Sequence, residues 1–303
     1  MTRNSQEQRL ATFVDRVKEM NMFQRFLDPE LGEKPIMFIW GQGGYGKSSL
    51  LSRMLQECNQ RTMKKSQILW SNSDKPDYLS AMRKIRDDLG SEHFLEFNDK
   101  VNYFTKEGYE LRNNYQVTVL LKADGKVEVG NGMNLEGGSQ VTNMAGVLIQ
   151  DLKLVVPRPD KEIHEDQRMK ELTTTFLFCL NRLASAQAPV VIFMDAVEKM
   201  TLSTSEWVWE QLLKRACENE LPHVRFVMLG RVGPSLENGN VYLMMEKAEL
   251  GPLGLSDIEQ YLRVKGVRED LCSPLALMLH GVSKGFPLQV AAQADEFLNN
   301  WKG

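Results

Sequence analysis

Residues 35–48 read Pro35-Ile36-Met37-Phe38-Ile39-Trp40-Gly41-Gln42-Gly43-Gly44-Tyr45-Gly46-Lys47-Ser48. An apolar run of strand length passes directly into G-x-x-x-x-G-K-[ST], and a helical pattern over 46–58 follows. Strand, glycine-rich loop and helix, in that order, form the context in which such a loop holds phosphate. The glycines let successive backbone N–H groups turn inward around an anion, and the start of the helix adds its partial positive charge. The residues placed to contact a nucleotide are Gly41, Gly43, Gly44, Tyr45, Gly46, Lys47, Ser48 and Ser49. Lys47 would reach the β- and γ-phosphates, and the Ser48 hydroxyl would ligate Mg²⁺. A glycine-rich turn that binds nothing is the plain alternative, and the strand before the loop and the helix after it speak against that.

Such a site needs an acid at the end of another buried strand. Pro189-Val190-Val191-Ile192-Phe193-Met194-Asp195 supplies one, with Asp195 placed to hold Mg²⁺ through water opposite Ser48. Three residues on, Glu198 is the candidate to orient or deprotonate the attacking water; the alternative is a solvated acid at the start of a loop. The apolar run 224–229 ends at Gly230-Arg231. Ligand sites in open α/β sheets lie at the carboxyl ends of strands, so Arg231 would sense the γ-phosphate or stabilise its charge, unless it is simply a surface arginine. The guanine signatures are missing: Asp195 is followed by Ala196-Val197-Glu198 with no glycine, and Ser73-Asp74-Lys75-Pro76-Asp77 precedes the acidic strand. Adenine is the expected base.

Beyond these motifs the chain alternates strand-like and helical runs, the pattern of an α/β domain with a mostly parallel sheet. Strands are expected at 36–40, 67–71, 190–194 and 224–229, with a short fifth near 246–250. Helices are expected at 46–58, 78–89, 166–186 and 205–218, the last opening on Ser203-Thr204-Ser205-Glu206 as a capping box. The stretch from about 90 to 165 breaks the pattern: an Asp124-Gly125 turn between 115–122 and 126–129 reads as a β-hairpin, and the whole is either a contact surface or a plain loop. After Pro252, three helical segments near 256–265, 268–280 and 287–300 read as a small lid. The expected domains are therefore 1–252, a P-loop domain carrying the insert, and 253–303, the helical lid. The expected architecture is α/β: a five-stranded parallel P-loop sheet flanked by helices.

Composition bounds the partners. In 303 residues, 37 Lys and Arg stand against 40 Asp and Glu, for a net charge of −3, which argues against a dedicated nucleic-acid binder. No apolar run reaches the roughly 18 residues of a membrane span, and the first ten residues lack the apolar core of a signal peptide. Cys58, Cys179, Cys217 and Cys272 are widely spaced, which fits packed, reduced thiols in a cytoplasmic protein better than disulfides or zinc. The 16 methionines, the isolated histidines, and Trp207 with Trp209 read as packing residues.

Together these motifs resemble the STAND class of P-loop ATPases, relatives of the AP-ATPase and NACHT proteins. Phe13-Val14-Asp15-Arg16 with Glu19 looks like the F-x-G-R-x-x-E motif that lies against adenine and ribose, with Asp15 where the family has glycine. Asp195-Ala196-Val197-Glu198 looks like the extended Walker B, Gly230-Arg231 like the sensor-1 strand end, and Gly285-Phe286-Pro287-Leu288 like the G-x-P motif of the lid. The resemblance implies that Val14, Arg16 and Pro287 contact the nucleoside. It also implies a switch that holds ADP when closed, exchanges it for ATP, hydrolyses slowly and self-associates on activation. Effector and sensor parts would lie on partners or elsewhere, and a defence role is common among relatives. Two other readings stand beside it. A remodelling ATPase of the AAA+ type would use a lid arginine, for which Arg263 and Arg268 are available. A nucleotide-binding scaffold would have no turnover.

Overall fold

The computed structural model describes residues 16–28, 34–71, 76–105, 108–110, 119–121, 127–129, 134–135, 154–157 and 165–301. They fall into two compact units, Met1–His93 with Leu180–Gly303, and Phe94–Cys179. In the first, strands β1 (Ile36–Trp40), β2 (Lys64–Leu69), β8 (Val190–Asp195), β9 (Val224–Gly230) and β10 (Met245–Glu249) form one five-stranded sheet in the order β10-β1-β9-β8-β2. Every neighbouring pair is parallel. The expected α/β P-loop sheet is therefore present, with β9 between β1 and β8. All seven residues of β9 are buried, as a central parallel strand covered on both faces requires.

Helices α1 (Val17–Leu27) and α2 (Lys47–Gln60) cover one face of this sheet. Phe23 and Phe26 of α1 and Leu50 and Met54 of α2 share a core with Met37, Ile39, Phe193 and Val227. The sheet edges are the least apolar strands. Lys64 and Lys65 pair with Val190 and Val191 at the start of β2. Strand β2 thus begins three residues before the apolar run at 67–71 and ends at Leu69. Lysines on an edge strand, here the exposed Lys64 and the half-buried Lys65, are a common guard against further pairing, and they carry no apolar signal.

Helix α3 (Tyr78–Leu89) lies where expected, capped by the Asp77 carboxylate on the Ser80 N–H at 2.7 Å. The helical stretch 202–217 begins earlier than expected. Its cap is the Thr201 hydroxyl, which accepts from the Thr204 N–H at 3.3 Å, so Ser203 lies inside the helix. Its ends are α6 (Leu202–Glu206) and α7 (Lys214–Cys217), and its middle, Trp207–Leu213, is π-helical. In a π-helix residues five apart share a face, which puts Trp207 over Leu212 and Val208 over Leu213, all fully buried. Trp209 stacks on Phe38 with ring centroids 6.3 Å apart, so both tryptophans pack.

After β10 come α8 (Leu255–Val264), α9 (Glu269–Ser283) and α10 (Pro287–Trp301). These helices have a core of their own, with Ile258, Leu262, Cys272, Ala276, Val290 and Ala294 nearly or fully buried. All four cysteines are free thiols.

The second unit holds α4 (Leu95–Thr105) and most of α5 (Glu165–Leu183). Phe94 stacks on Phe176 at 5.6 Å, and Phe97 meets the same ring edge-on at 5.3 Å. Among the described residues five short strands lie between these helices in sequence: β3 (Gly108–Glu110), β4 (Val119–Leu121), β5 (Val127–Val129), β6 (Asn134–Leu135) and β7 (Leu154–Pro157). Val119–Leu121 pairs antiparallel with Val127–Val129, the two arms of the expected hairpin; the Asp124-Gly125 turn lies outside the described residues. Among the described residues no helix is long and apolar enough to cross a membrane.

Candidate active site

The phosphate loop leaves the end of β1 at the centre of the sheet. The Gly41 N–H donates to the Gly230 carbonyl at 3.3 Å, tying the loop's first residue to the end of β9. Gly44 and Gly46 have φ of +89° and +86°, values that a side chain disfavours. Gly46 precedes the first turn of α2, whose leading N–H groups have no acceptor within the helix. These donors face a cleft of about 640 Å³ lined by Gly43, Gly44, Tyr45, Gly46, Lys47, Ser48 and Ser49. Gly41 does not line it. Its carbonyl instead accepts from Lys47 Nζ at 2.5 Å, and the Gln42 carbonyl accepts from the same ammonium at 3.0 Å. Burial pushes the Lys47 ammonium below its ordinary pKa, against the opposing pull of Glu198 and Asp195.

The acids come from the end of β8. Asp195 lines the cleft, and its Oδ1 accepts the Ala196 N–H at 2.8 Å. Burial raises its pKa above the usual carboxylate value, against that hydrogen bond and the attraction of Lys47. Asp195 Oδ2 and the Ser48 hydroxyl have no hydrogen-bond partner among the described residues, and both residues line the same cleft. A carboxylate oxygen and a hydroxyl are hard donors of the kind Mg²⁺ takes together with phosphate oxygens. The donor set fits that ion.

Ala196 then takes a left-handed conformation, φ 59°, and starts a single 3₁₀ turn over Val197–Lys199. The turn lifts Glu198 towards the end of β9. Its Oε2 accepts the Arg231 backbone N–H at 3.2 Å, and its Oε1 lies 3.3 Å from Arg231 Nε. One residue thus holds both carboxylate oxygens. The Arg231 guanidinium also lies near Gly43, 3.9 Å from where a β-carbon on that glycine would stand. An exposed pair of this kind is worth only about 0–1 kcal/mol, so a phosphate can displace it.

The far wall is largely apolar and is made by Leu253, just before α8, and by Tyr261, Pro287, Leu288, Val290 and Ala291 of the C-terminal helices. Phe286 bridges it to the loop. Its ring lies 5.3 Å from that of Tyr45 and fills the space beside Gly44. Arg16, 8% exposed, completes the joint by donating to the Tyr45 carbonyl at 3.2 Å and the Gly251 carbonyl at 2.7 Å. Among the expected site residues the structure thus gathers Lys47, Ser48, Ser49, Asp195, Glu198, Arg231, Arg16 and Pro287 around one cleft. Val14 lies outside the described residues. Arg263 and Arg268 do not line the cleft; they pair with Glu269 and Asp270. Lys199, Tyr261, Leu69, Trp70 and Ser71 line it without having been expected. The last three follow from the rule that ligand sites sit at carboxyl ends of parallel strands, applied to β2; Tyr261 carries no motif.

A family profile described as an AAA ATPase domain matches residues 12–227, well over half of the chain. No curated protein matches the chain. Among solved structures, the chain is similar to a Walker-type ATPase of Pyrococcus abyssi, with 12% identity, 95% of this chain and 68% of that one covered, and a TM-score of 0.49. It is also similar to Cdc6p of Pyrobaculum aerophilum, with 11% identity, coverage of 87% and 56%, and a TM-score of 0.42. The Orc1 protein of Aeropyrum pernix, solved with DNA, gives 13% identity, coverage of 93% and 61%, and a TM-score of 0.44. The profile match, on a chain whose sheet order and phosphate loop are those described above, shows that this protein belongs to the AAA ATPase domain family.

Proposed function

We propose that the protein is an ATP-driven switch of the STAND kind, binding ATP or ADP with Mg²⁺ between the phosphate loop and the C-terminal helices and hydrolysing ATP slowly. The observation that carries this reading is the joint between the two walls. Phe286 packs on Tyr45 and beside Gly44, while Arg16 ties the loop to Gly251 at the root of the lid. A nucleotide in this cleft touches both walls, so the presence or absence of its terminal phosphate biases how they meet.

Within this reading Lys47 and the amides of the loop bind the phosphates. Ser48 and Asp195 would hold Mg²⁺, which supplies charge neutralisation at the phosphate oxygens. Arg231 exchanges its weak pair with Glu198 for the terminal phosphate, and the released carboxylate orients the attacking water. Arg16 and Pro287 would flank the nucleoside. Arg263 and Arg268 do not line the cleft and are engaged by acidic partners, which supports a switch over a remodelling motor that needs a lid arginine. Self-association in the ATP state, and effector or sensor parts supplied by partners, belong to the same proposal.

Comparing Glu198→Gln with Lys47→Ala tests it. Incubated with labelled ATP and Mg²⁺, the Glu198→Gln protein is expected to retain unhydrolysed ATP, with turnover reduced by about 100-fold or more. The Lys47→Ala protein is expected to retain no nucleotide. Unchanged turnover in Glu198→Gln removes that residue from the chemistry and favours a scaffold.

A further inference from the structure

Five charged side chains gather at the strand ends of the cleft: Lys47, Asp195, Glu198, Lys199 and Arg231. Four of them have partners. Lys47 is held by two loop carbonyls, Asp195 by the Ala196 amide, and Glu198 and Arg231 by each other. The Lys199 ammonium has no hydrogen bond or ion pair among the described residues, although the residue is partly buried and lines the cleft. A lysine ammonium is a mobile point charge with three donors and is strongly hydrated. Left unpaired at a concave site, it marks a place where an anion completes the arrangement.

Its position follows from the turn that carries it. Lys199 closes the single 3₁₀ turn started by Ala196, its N–H donating to the Ala196 carbonyl at 2.9 Å. Successive residues of such a helix point about 120° apart. Glu198 can therefore reach sideways to Arg231 while the next residue faces a different part of the cleft. Lys199 lies in the turn that directly follows β8, four residues after Asp195, and lines the same cleft as that carboxylate. The two acids and three cations leave this end with a formal charge of +1, too little to balance a triphosphate unless each cation is used. Lys47, rooted in the loop, serves the phosphates that the loop cradles. Lys199, at the end of β8 and separated from the loop's strand by β9, is left with the phosphate furthest from the nucleoside.

We propose that Lys199 is a second phosphate-binding cation of the cleft, one that meets the terminal phosphate of a nucleoside triphosphate and makes the site distinguish tri- from diphosphate. The inference rests on the nucleotide reading above and adds a determinant that none of the motifs contains. It gives the switch a sensor in the same chain, independent of Arg231 and its pairing with Glu198.

Titration calorimetry of the full chain with ADP and with a non-hydrolysable ATP analogue, both with Mg²⁺ at fixed ionic strength, tests it. Lys199→Met is expected to weaken the analogue about tenfold and ADP less than about twofold, as the loss of one charge-assisted contact implies. Lys199→Arg is expected to keep most of the discrimination. Lys64→Met, at the opposite end of β2 from the cleft, controls for net charge and is expected to change neither affinity. Equal weakening of both nucleotides by Lys199→Met, or no weakening of either, overturns the proposal, as does the same loss in Lys64→Met. If the wild-type protein binds neither nucleotide, the nucleotide reading itself fails; if it binds both and only the ratio stays unmoved by Lys199→Met, that reading stands and the role of Lys199 falls. Thermal melting of each variant separates a lost contact from a lost fold.

Discussion

At the end of β8, Asp195 is asked to stay ionised where burial disfavours charge. Its pKa lies above the ordinary carboxylate value because burial outweighs the Ala196 hydrogen bond and the attraction of Lys47. A raised folded-state pKa means that the neutral acid is tolerated better than the carboxylate. The stability this group contributes is present below the ordinary carboxylate pKa and is lost as pH rises through the raised one. Asp195→Asn, which keeps an oxygen for the Ala196 N–H, is therefore expected to raise the melting temperature of the protein without nucleotide at neutral pH by roughly 2–5 °C. The gain should shrink as the pH falls towards about 4, and Mg²⁺-dependent ATP turnover should be lost. Calorimetry across pH checks this; an equal or lower melting point at neutral pH contradicts burial as the cause of the shift. The sequence made Lys47, Ser48 and Asp195 readable because each stands at a fixed offset within a motif. It could not tell that Lys47 rests on the Gly41 and Gln42 carbonyls, or that Glu198 is held by Arg231, since those contacts depend on how the strand ends meet.

Among the elements, the turn from α9 into α10 does the most for the site. Gly285 has φ +74°, and a β-carbon there would lie 2.3 Å from the Leu253 carbonyl oxygen, which is backbone and cannot swing aside. The Leu253 N–H donates to the Gly285 carbonyl at 2.8 Å, so the turn is docked on the segment that leads into α8 and holds Phe286 against the loop. Gly285→Ala is expected to cost about 2–4 kcal/mol, combining left-handed strain with a forced backbone shift. Denaturant unfolding measures the loss, and a change below about 0.5 kcal/mol contradicts the packing described. Elements with a strong period were legible: β1, α3, β9 and the three C-terminal helices fall within a few residues of where the pattern put them. The misreadings have physical causes. Strand β2 opens on two lysines because it is a sheet edge, and the stretch 202–217 contains a π-helical segment whose five-residue spacing a 3.6-residue period does not describe. Helix α1 was not expected, although Phe23, Phe26 and Leu27 recur at helical spacing: Glu19 places a charge on that same buried side, while Lys18 and Arg25 lie exposed.

On the scale of the whole chain, the order β10-β1-β9-β8-β2 brings the ends of three central strands together. The phosphate loop, the Asp195–Lys199 turn and Arg231 thereby become neighbours although nearly 190 residues of sequence separate the first from the last. That convergence is why motifs read singly from sequence meet at one cleft, and why Tyr261 and Lys199, which belong to no motif, could be found only in the fold. The central claim is that the nucleotide joins the loop to the lid and is released slowly from that joint. The nucleotide content of the freshly purified protein, measured by acid extraction and chromatography, tests it most directly. Near-stoichiometric ADP is the predicted result, with exchange as the regulated step. An empty site together with rapid steady-state ATP turnover would contradict the account.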